Sequence, residues 1–187
     1  KEGLLSCLAN NSFESVTVTS LCKASGITRS TFYLHYSNIM EIVDDLVDDA
    51  IAYSKPGMVD NNNLQTIAKT LSAASNSVSL REAYDSIFDR LPLCQRIIRH
   101  KKYLPLFLDE QISEYVLQRI IGREKDRQGL VMAESLGVSF DVGVSVFVFL
   151  VHGLYAVNKQ YKWSQSDEWL EAQKTIFELV YRGLQSR

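Results

Sequence analysis

Cysteine, histidine and excess charge are all scarce in this chain, and each shortage removes a class of function. The three cysteines, Cys7, Cys22 and Cys94, stand far apart, with no C-x-x-C pair and no Cys/His spacing suited to a metal. They read as buried free thiols of a reducing compartment, not as a disulfide framework or a zinc site. The formal net charge is only −2 over 187 residues. No global field therefore draws the chain to nucleic acid or to a membrane, and any DNA affinity must be local. No secretory signal and no apolar run of about 20 residues is read, which predicts a soluble, cytoplasmic protein with no membrane partner. The histidines, His35, His100 and His152, are distant in sequence. A nucleophile elbow G-x-S-x-G, a phosphate-cradling glycine loop and H-E-x-x-H are all missing. Glu110, Glu114 and Arg119 lie near one another on one helix, but such groups are ordinarily surface pairs. The expectation is no enzyme: no catalytic residue, no metal and no cofactor. No internal repeat or low-complexity tract is evident.

What is present concentrates in residues 17–36, TVTSLCKASGITRSTFYLHY. Thr17 precedes an apolar-periodic run (Val18, Leu21, Cys22) and predicts an N-cap. Gly26 ends that helix, because a left-handed position costs a residue without Cβ almost nothing. Ile27 plugs the corner, Thr28 caps again, and a short helix resumes through Arg29, Ser30, Thr31, Phe32 and Tyr33. Two short helices joined by a turn of about three residues containing glycine make a helix-turn-helix unit, whose second helix can reach base edges. Between Thr17 and Asn38 the basic residues are Lys23 and Arg29, and there is no acid. Arg29, Ser30, Thr31 and Tyr33 offer a guanidinium and three hydroxyls to phosphates and bases. Phe32 falls on the face that Leu21 and Ile27 cover and reads as core. An ordinary surface hairpin with two good caps would show the same pattern.

The string V-T-V-T-S-L-C-K-A-S-G-I-T-R-S-T-F-Y-L-H-Y-S-N resembles the TetR/AcrR family of transcriptional regulators. The match runs through Thr17, Val18, Leu21, Ala24, Gly26, Ile27, Thr28, Thr31, Phe32, Tyr33, His35, Tyr36 and Ile42. In its I-T-R-S-T-F-Y-L-H-Y form it is most similar to the branch that includes dihydroxyacetone-kinase operon activators. The resemblance covers about a quarter of the chain. It implies a DNA operator as partner, contacted by Thr17, Thr28, Arg29, Ser30, Thr31, Tyr33 and His35. Two departures stand out. Ile39 occupies a position where the family has a lysine. Residues 1–50 carry three basic side chains (Lys1, Lys23, Arg29) against seven acids, five of them Glu41, Asp44, Asp45, Asp48 and Asp49. DNA-binding domains ordinarily have the opposite balance. The acids therefore face away from the duplex, or binding is weak or lost. In the latter case the chain is a helical dimeric sensor or protein-binding module.

The remainder predicts an all-α protein. A three-helix head with the helix-turn-helix spans 1–45, and a helical effector-binding and dimerisation body spans 46–187. Residues 4–9 form the first helix, stopped by Asn10-Asn11 before Phe13. Residues 38–54 form a helix with Ile39, Ile42, Val43, Leu46, Val47 and Ala50 at helical spacing. It is expected to be the only element shared by head and body, and so to carry any signal between them. A break at Lys55-Pro56-Gly57 and a polar loop over 60–63 follow. The body reads as helices over 64–74 and 80–91, with a serine-rich loop at 75–79. Further helical segments cover 93–100, after Pro92, and 104–127, which ends in the charged cluster 123–127. Whether 130–136 continues that helix stays open; Gly137 ends it either way.

Residues 141–159 are the most apolar stretch. A helix apolar all round must be buried on every side, which calls for a partner chain as well as a core. Ser166 caps a last helix over 167–184. These last two helices match the pair that dimerises in the resembling family, so a homodimer is expected through 142–155 and 176–184. Tyr84, Phe88, Arg99, His100, Tyr103, Phe107, Tyr115, His152 and Tyr155 are the candidate ligand-binding residues for a small-molecule effector whose identity the sequence does not name. As plain core aromatics most of them would look the same. Repressor and activator are equally open.

Overall fold

A computed structural model describes residues 1–53, 63–91, 95–96 and 101–185. Those residues form helices and turns, with no strand among them, so the fold is all-α. In order they are α1 (Glu2–Leu8), α2 (Val18–Ser25), α3 (Arg29–His35), α4 (Ile39–Tyr53), α5 (Asn63–Ser72), α6 (Ser77–Ser86), α7 (Leu104–Leu108), α8 (Ser113–Leu136), α9 (Phe140–Gln160) and α10 (Asp167–Gln185), with 3-10 turns at Phe13–Ser15 and Phe88–Arg90. The break at Lys55-Pro56-Gly57, the loop over 60–62, Pro92, the segment 93–94, Cys94, and 97–100 with Arg99 and His100 lie outside the described residues.

The chain divides into two compact units: Lys1–Lys55 with Ile97–Arg123, and Pro56–Arg96 with Glu124–Arg187. In the first, Leu4, Leu5 and Leu8 of α1, Leu21 and Cys22 of α2, Phe32 of α3 and the α4 row Ile42, Val43, Leu46, Val47 and Ala50 are all buried. Full burial of a Leu, Ile or Phe side chain is worth about 1.5–3 kcal/mol, so these rows hold the short helices that could not stand alone. Gly3 lets α1 approach α2, because a Cβ there would meet the Ser25 hydroxyl oxygen at 2.0 Å. The helix expected to join head and body is α4, yet it lies wholly in the first unit. Among the described residues, α8 is the helix with residues in both.

In the second unit Ile67, Ala68 and Leu71 of α5, Leu80 and Tyr84 of α6, Leu154 of α9 and Trp169, Leu170 and Phe177 of α10 share one core. Ser77–Ser79, expected as loop, instead opens α6: the Asn76 side chain accepts the Ser79 N–H at 2.9 Å and the Ser79 hydroxyl accepts the Asn76 N–H at 3.1 Å. This reciprocal cap satisfies two end donors, which a serine-rich composition alone does not reveal. The charged cluster is not a helix end. Asp109 caps a break after α7, accepting from Gln111 N and Ile112 N at 3.0 and 3.3 Å. The next helix, α8, then runs unbroken to Leu136, where Gly137 turns left-handed at φ 62°. Inside it Glu124 is buried and receives Arg127 Nε at 3.2 Å.

Helix α9 corrects one expectation and sharpens another. An 18-residue window of this 21-residue helix has a mean hydropathy of 1.9, long and apolar enough to cross a membrane by length and composition alone, contrary to the expectation that the chain has no such run. A core helix of a soluble protein passes the same test. Yet only 28% of its apolar window is buried, so burial on every side is not achieved within this chain. Its inner side packs closely on α8 through Gly129, Ala133 and Gly143. A Cβ at Gly143 would stand 2.3 Å from Gly129 O and 2.7 Å from Ala133 N, both backbone atoms.

That contact reverses the usual sign of a helical Gly→Ala change. At Gly122, where a Cβ meets nothing within 4 Å, alanine is expected to stabilise by about 0.5–1 kcal/mol through its lower conformational entropy. At Gly143 overpacking should outweigh that gain and leave a net loss of about 1–3 kcal/mol. Urea unfolding of the two variants checks this; equal stabilisation by both would show that the helices do not cross closely at Gly143.

Candidate nucleic-acid interface

The geometry of α2 and α3 follows from three small residues. Thr17 Oγ1 accepts Ser20 N at 3.1 Å while Ser20 Oγ accepts Thr17 N at 2.9 Å, so the first turn of α2 is capped reciprocally. Gly26 takes φ 65° and ψ 29°; its N–H reaches Lys23 O and that of Ile27 reaches Cys22 O at 3.0 Å. This paired closure ends a helix while satisfying its last carbonyls. Thr28 Oγ1 then accepts Thr31 N at 3.1 Å and starts α3. The Ile27 side chain is 40% exposed, so its backbone, not its side chain, makes the corner. Phe32, by contrast, is buried and meets Tyr33 edge-on at 5.1 Å.

The residues singled out from the sequence divide into two sets here. The hydroxyls of Thr17 and Thr28 are engaged as caps, and Thr31 Oγ1 lies 2.9 Å from that of Thr28. Arg29, Ser30, Tyr33 and His35 project from α3 into solvent. Neither Arg29 nor Lys23 forms an ion pair or hydrogen bond with any described residue. The exposed cationic groups of this hairpin are thus unspent.

The acids of α4 are in the opposite condition. Glu41 accepts Ser37 N at 2.7 Å. Asp44 accepts the Tyr115 hydroxyl at 2.6 Å and lies 3.4 Å from Arg119 Nε. Asp45 accepts the Tyr36 hydroxyl at 2.9 Å, and Asp49 takes Lys1 Nζ at 2.9 Å. Asp48 receives Arg123 through two bonds, 3.0 and 2.6 Å. Tyr115, Arg119 and Arg123 recur every four residues on α8, so one helical face meets Asp44 and Asp48. Counted over its whole extent, the first unit has nine basic residues against ten acidic ones, a far smaller imbalance than in residues 1–50. These half-exposed pairs contribute little stability, about 0–1 kcal/mol each. Their consequence is that Asp44, Asp45, Asp48 and Asp49 each lie against a cation of the same unit, Lys1 being shared by two of them.

The candidate ligand-binding residues fall in both units. Tyr103 and Phe107 are buried in the first, and Tyr115 is spent on Asp44. In the second, Tyr84 stands edge-on to Trp169 at 5.1 Å and Tyr155 to Trp163 at 5.4 Å, while Phe88 and His152 are half-buried. Sequence reasoning missed a buried polar row there. The Tyr84 hydroxyl donates to Gln95, whose amide donates to Gln173. Gln173 and the Trp169 indole then donate to Asn158 Oδ1, at 3.4 and 2.8 Å. An indole only donates, so it fixes which Asn158 atom is oxygen. The clue in the sequence was amides at core positions: Asn158 in the apolar run, and Gln173 on the side of Trp169, Leu170 and Phe177. Among the described residues no group of three or more His, Cys, Asp or Glu is placed to hold a metal ion. No protein-family model matches the chain, and neither a curated protein nor a solved structure does.

The Tyr36 hydrogen bond, with Lys1 nearby, holds the Asp45 carboxyl below its ordinary value. Its contribution to stability is therefore full above the usual carboxylate range and lost as pH falls through the lowered value. Burial and the Asp45 carboxylate raise Tyr36, and the Asp44 hydrogen bond raises Tyr115. Those contributions hold below about pH 10 and fade as pH rises past it. Melting temperatures taken from pH 5 down to pH 2 should fall less steeply for Asp45→Asn than for the parent chain. An unchanged acid slope would remove Asp45 from this account.

Proposed function

We propose that the chain is a DNA-binding transcriptional regulator of the TetR type, with α2 and α3 as its helix-turn-helix. The observation that carries this is the contrast between two neighbouring segments. The hairpin from Thr17 to Asn38 has no acid and two unspent cations, whereas the four aspartates of α4 each meet a cation inside their own unit. Arg29 supplies a guanidinium suited to guanine, and Tyr33 a hydroxyl suited to phosphate. Such a regulator works in the cytoplasm, has no catalytic step, and takes a small-molecule effector in the helical region after residue 45.

A homodimer through α9 and α10 belongs to the same proposal. Val142, Ser145, Phe149, Gly153 and Ala156 are all exposed along α9 at spacings of three and four, and Leu179 is exposed on α10. A partner copy would cover this stripe. Two heads reading half-sites about 34 Å apart would also add their contacts, which a head with so few cations requires.

Arg29→Ala is expected to weaken operator binding by about 1–3 kcal/mol and relax specificity at one position. Tyr33→Phe should weaken all sequences alike, and both variants should keep the helical circular-dichroism signal of the parent. Gel shifts against duplexes from the chain's own promoter region decide the matter. No shift by the parent would leave a helical module that does not bind DNA; a parent shift that neither variant weakens would take Arg29 and Tyr33 out of the interface.

Sedimentation checks the assembly. The parent should run as a dimer at micromolar concentration and Phe149→Asp as a folded monomer. A monomeric parent would refute the dimer.

A further inference from the structure

We propose that Leu34 reads a thymine methyl group in the operator, an inference that rests on the DNA-binding function proposed above. Leu34 is 81% exposed, more than Phe149 at 74% or Leu179 at 72%. Single exposed leucines are common and by themselves say nothing. This one stands in a defined row. At 100° per residue, Arg29, Ser30, Tyr33 and Leu34 fall within about 140° of the α3 circumference, with Arg29–Tyr33 and Ser30–Leu34 as neighbours one turn apart. Phe32 faces the core, so α3 owes Leu34 nothing for its stability.

The chemistry of the row favours duplex DNA over a protein surface. A protein-docking face presents a broad apolar patch. Here one aliphatic side chain is set among an unspent guanidinium and hydroxyls, on a hairpin with no acid. In the major groove the matching surface is a run of hydrogen-bonding base edges interrupted by one apolar group. Thymine supplies that group as its C5 methyl, beside the acceptors that Arg29 would take from a guanine. Leu34 is thus a specificity-determining residue, and the half-site it recognises holds a thymine within reach of the base contacted by Arg29.

Deoxyuridine in place of thymine removes the methyl and leaves the hydrogen-bonding edge intact, which makes the test selective. Duplexes bound by the full chain are first enriched from a random pool. Each thymine of the enriched half-site is then replaced in turn. Burial of one methyl-sized group is worth about a fourfold change in affinity, so one replacement should weaken the parent about fourfold per half-site. Leu34→Ala should bind the thymine duplex more weakly than the parent and lose the response to that replacement, while its circular dichroism is unchanged. If no replacement affects the parent, or if Leu34→Ala responds as the parent does, the methyl contact is wrong and DNA binding stands. If no duplex is enriched at all, the DNA-binding function falls first and this inference with it.

Discussion

The pairing of the α4 acids governs how the first unit behaves. Ile42, Val43, Leu46, Val47 and Ala50 are buried, and acids flank that apolar row on both sides. Asp44 and Asp48 meet Tyr115, Arg119 and Arg123; Asp45 and Asp49 meet Tyr36 and Lys1. Each exposed pair is weak on its own. Together they place four like charges of one helix against donors from elsewhere in the unit. Without those donors the acids would repel one another and add a negative field beside the hairpin that carries Arg29.

The energetics of the hairpin are of a different kind. Its helices, of eight and seven residues, are too short to persist in water alone. Caps at Thr17 and Thr28 and the left-handed Gly26 set where they start and stop, and burial of Leu21, Cys22 and Phe32 holds them. Apart from the edge-on contact of Tyr33 with Phe32, the outward side of α3 makes no packing contact that this stability depends on. Arg29, Ser30, Tyr33 and Leu34 are therefore free to be chosen for recognition.

In the second unit the balance is between an apolar core and a row of buried amides. Asn158, Gln173 and Gln95 have no measurable exposure. A buried amide left without partners costs more than its bond returns, so Tyr84, Gln95, Gln173, Asn158 and Trp169 must be held in mutual register. The Gly129–Ala133–Gly143 crossing adds a second constraint, because backbone against backbone leaves no side chain to give way.

Local chemistry made much of this legible from residues alone. Thr17, Gly26 and Thr28 announced two short helices because caps and left-handed turns act within about four residues of chain. The apolar spacing of 39–50 and of 167–184 gave helices for the same reason. What spans long separations was not legible. The acid count of residues 1–50 suggested a charge unsuited to DNA, because the arginines that answer Asp44 and Asp48 lie some 75 residues later, at 119 and 123. Likewise the cluster 123–127 looked like a solvated end, although α8 continues through it and buries Glu124. Caps and periodicity are written locally and survive any tertiary context. Charge partners, buried amides and the membership of α4 in one unit depend on which distant segments fold together, and only the tertiary structure decides that.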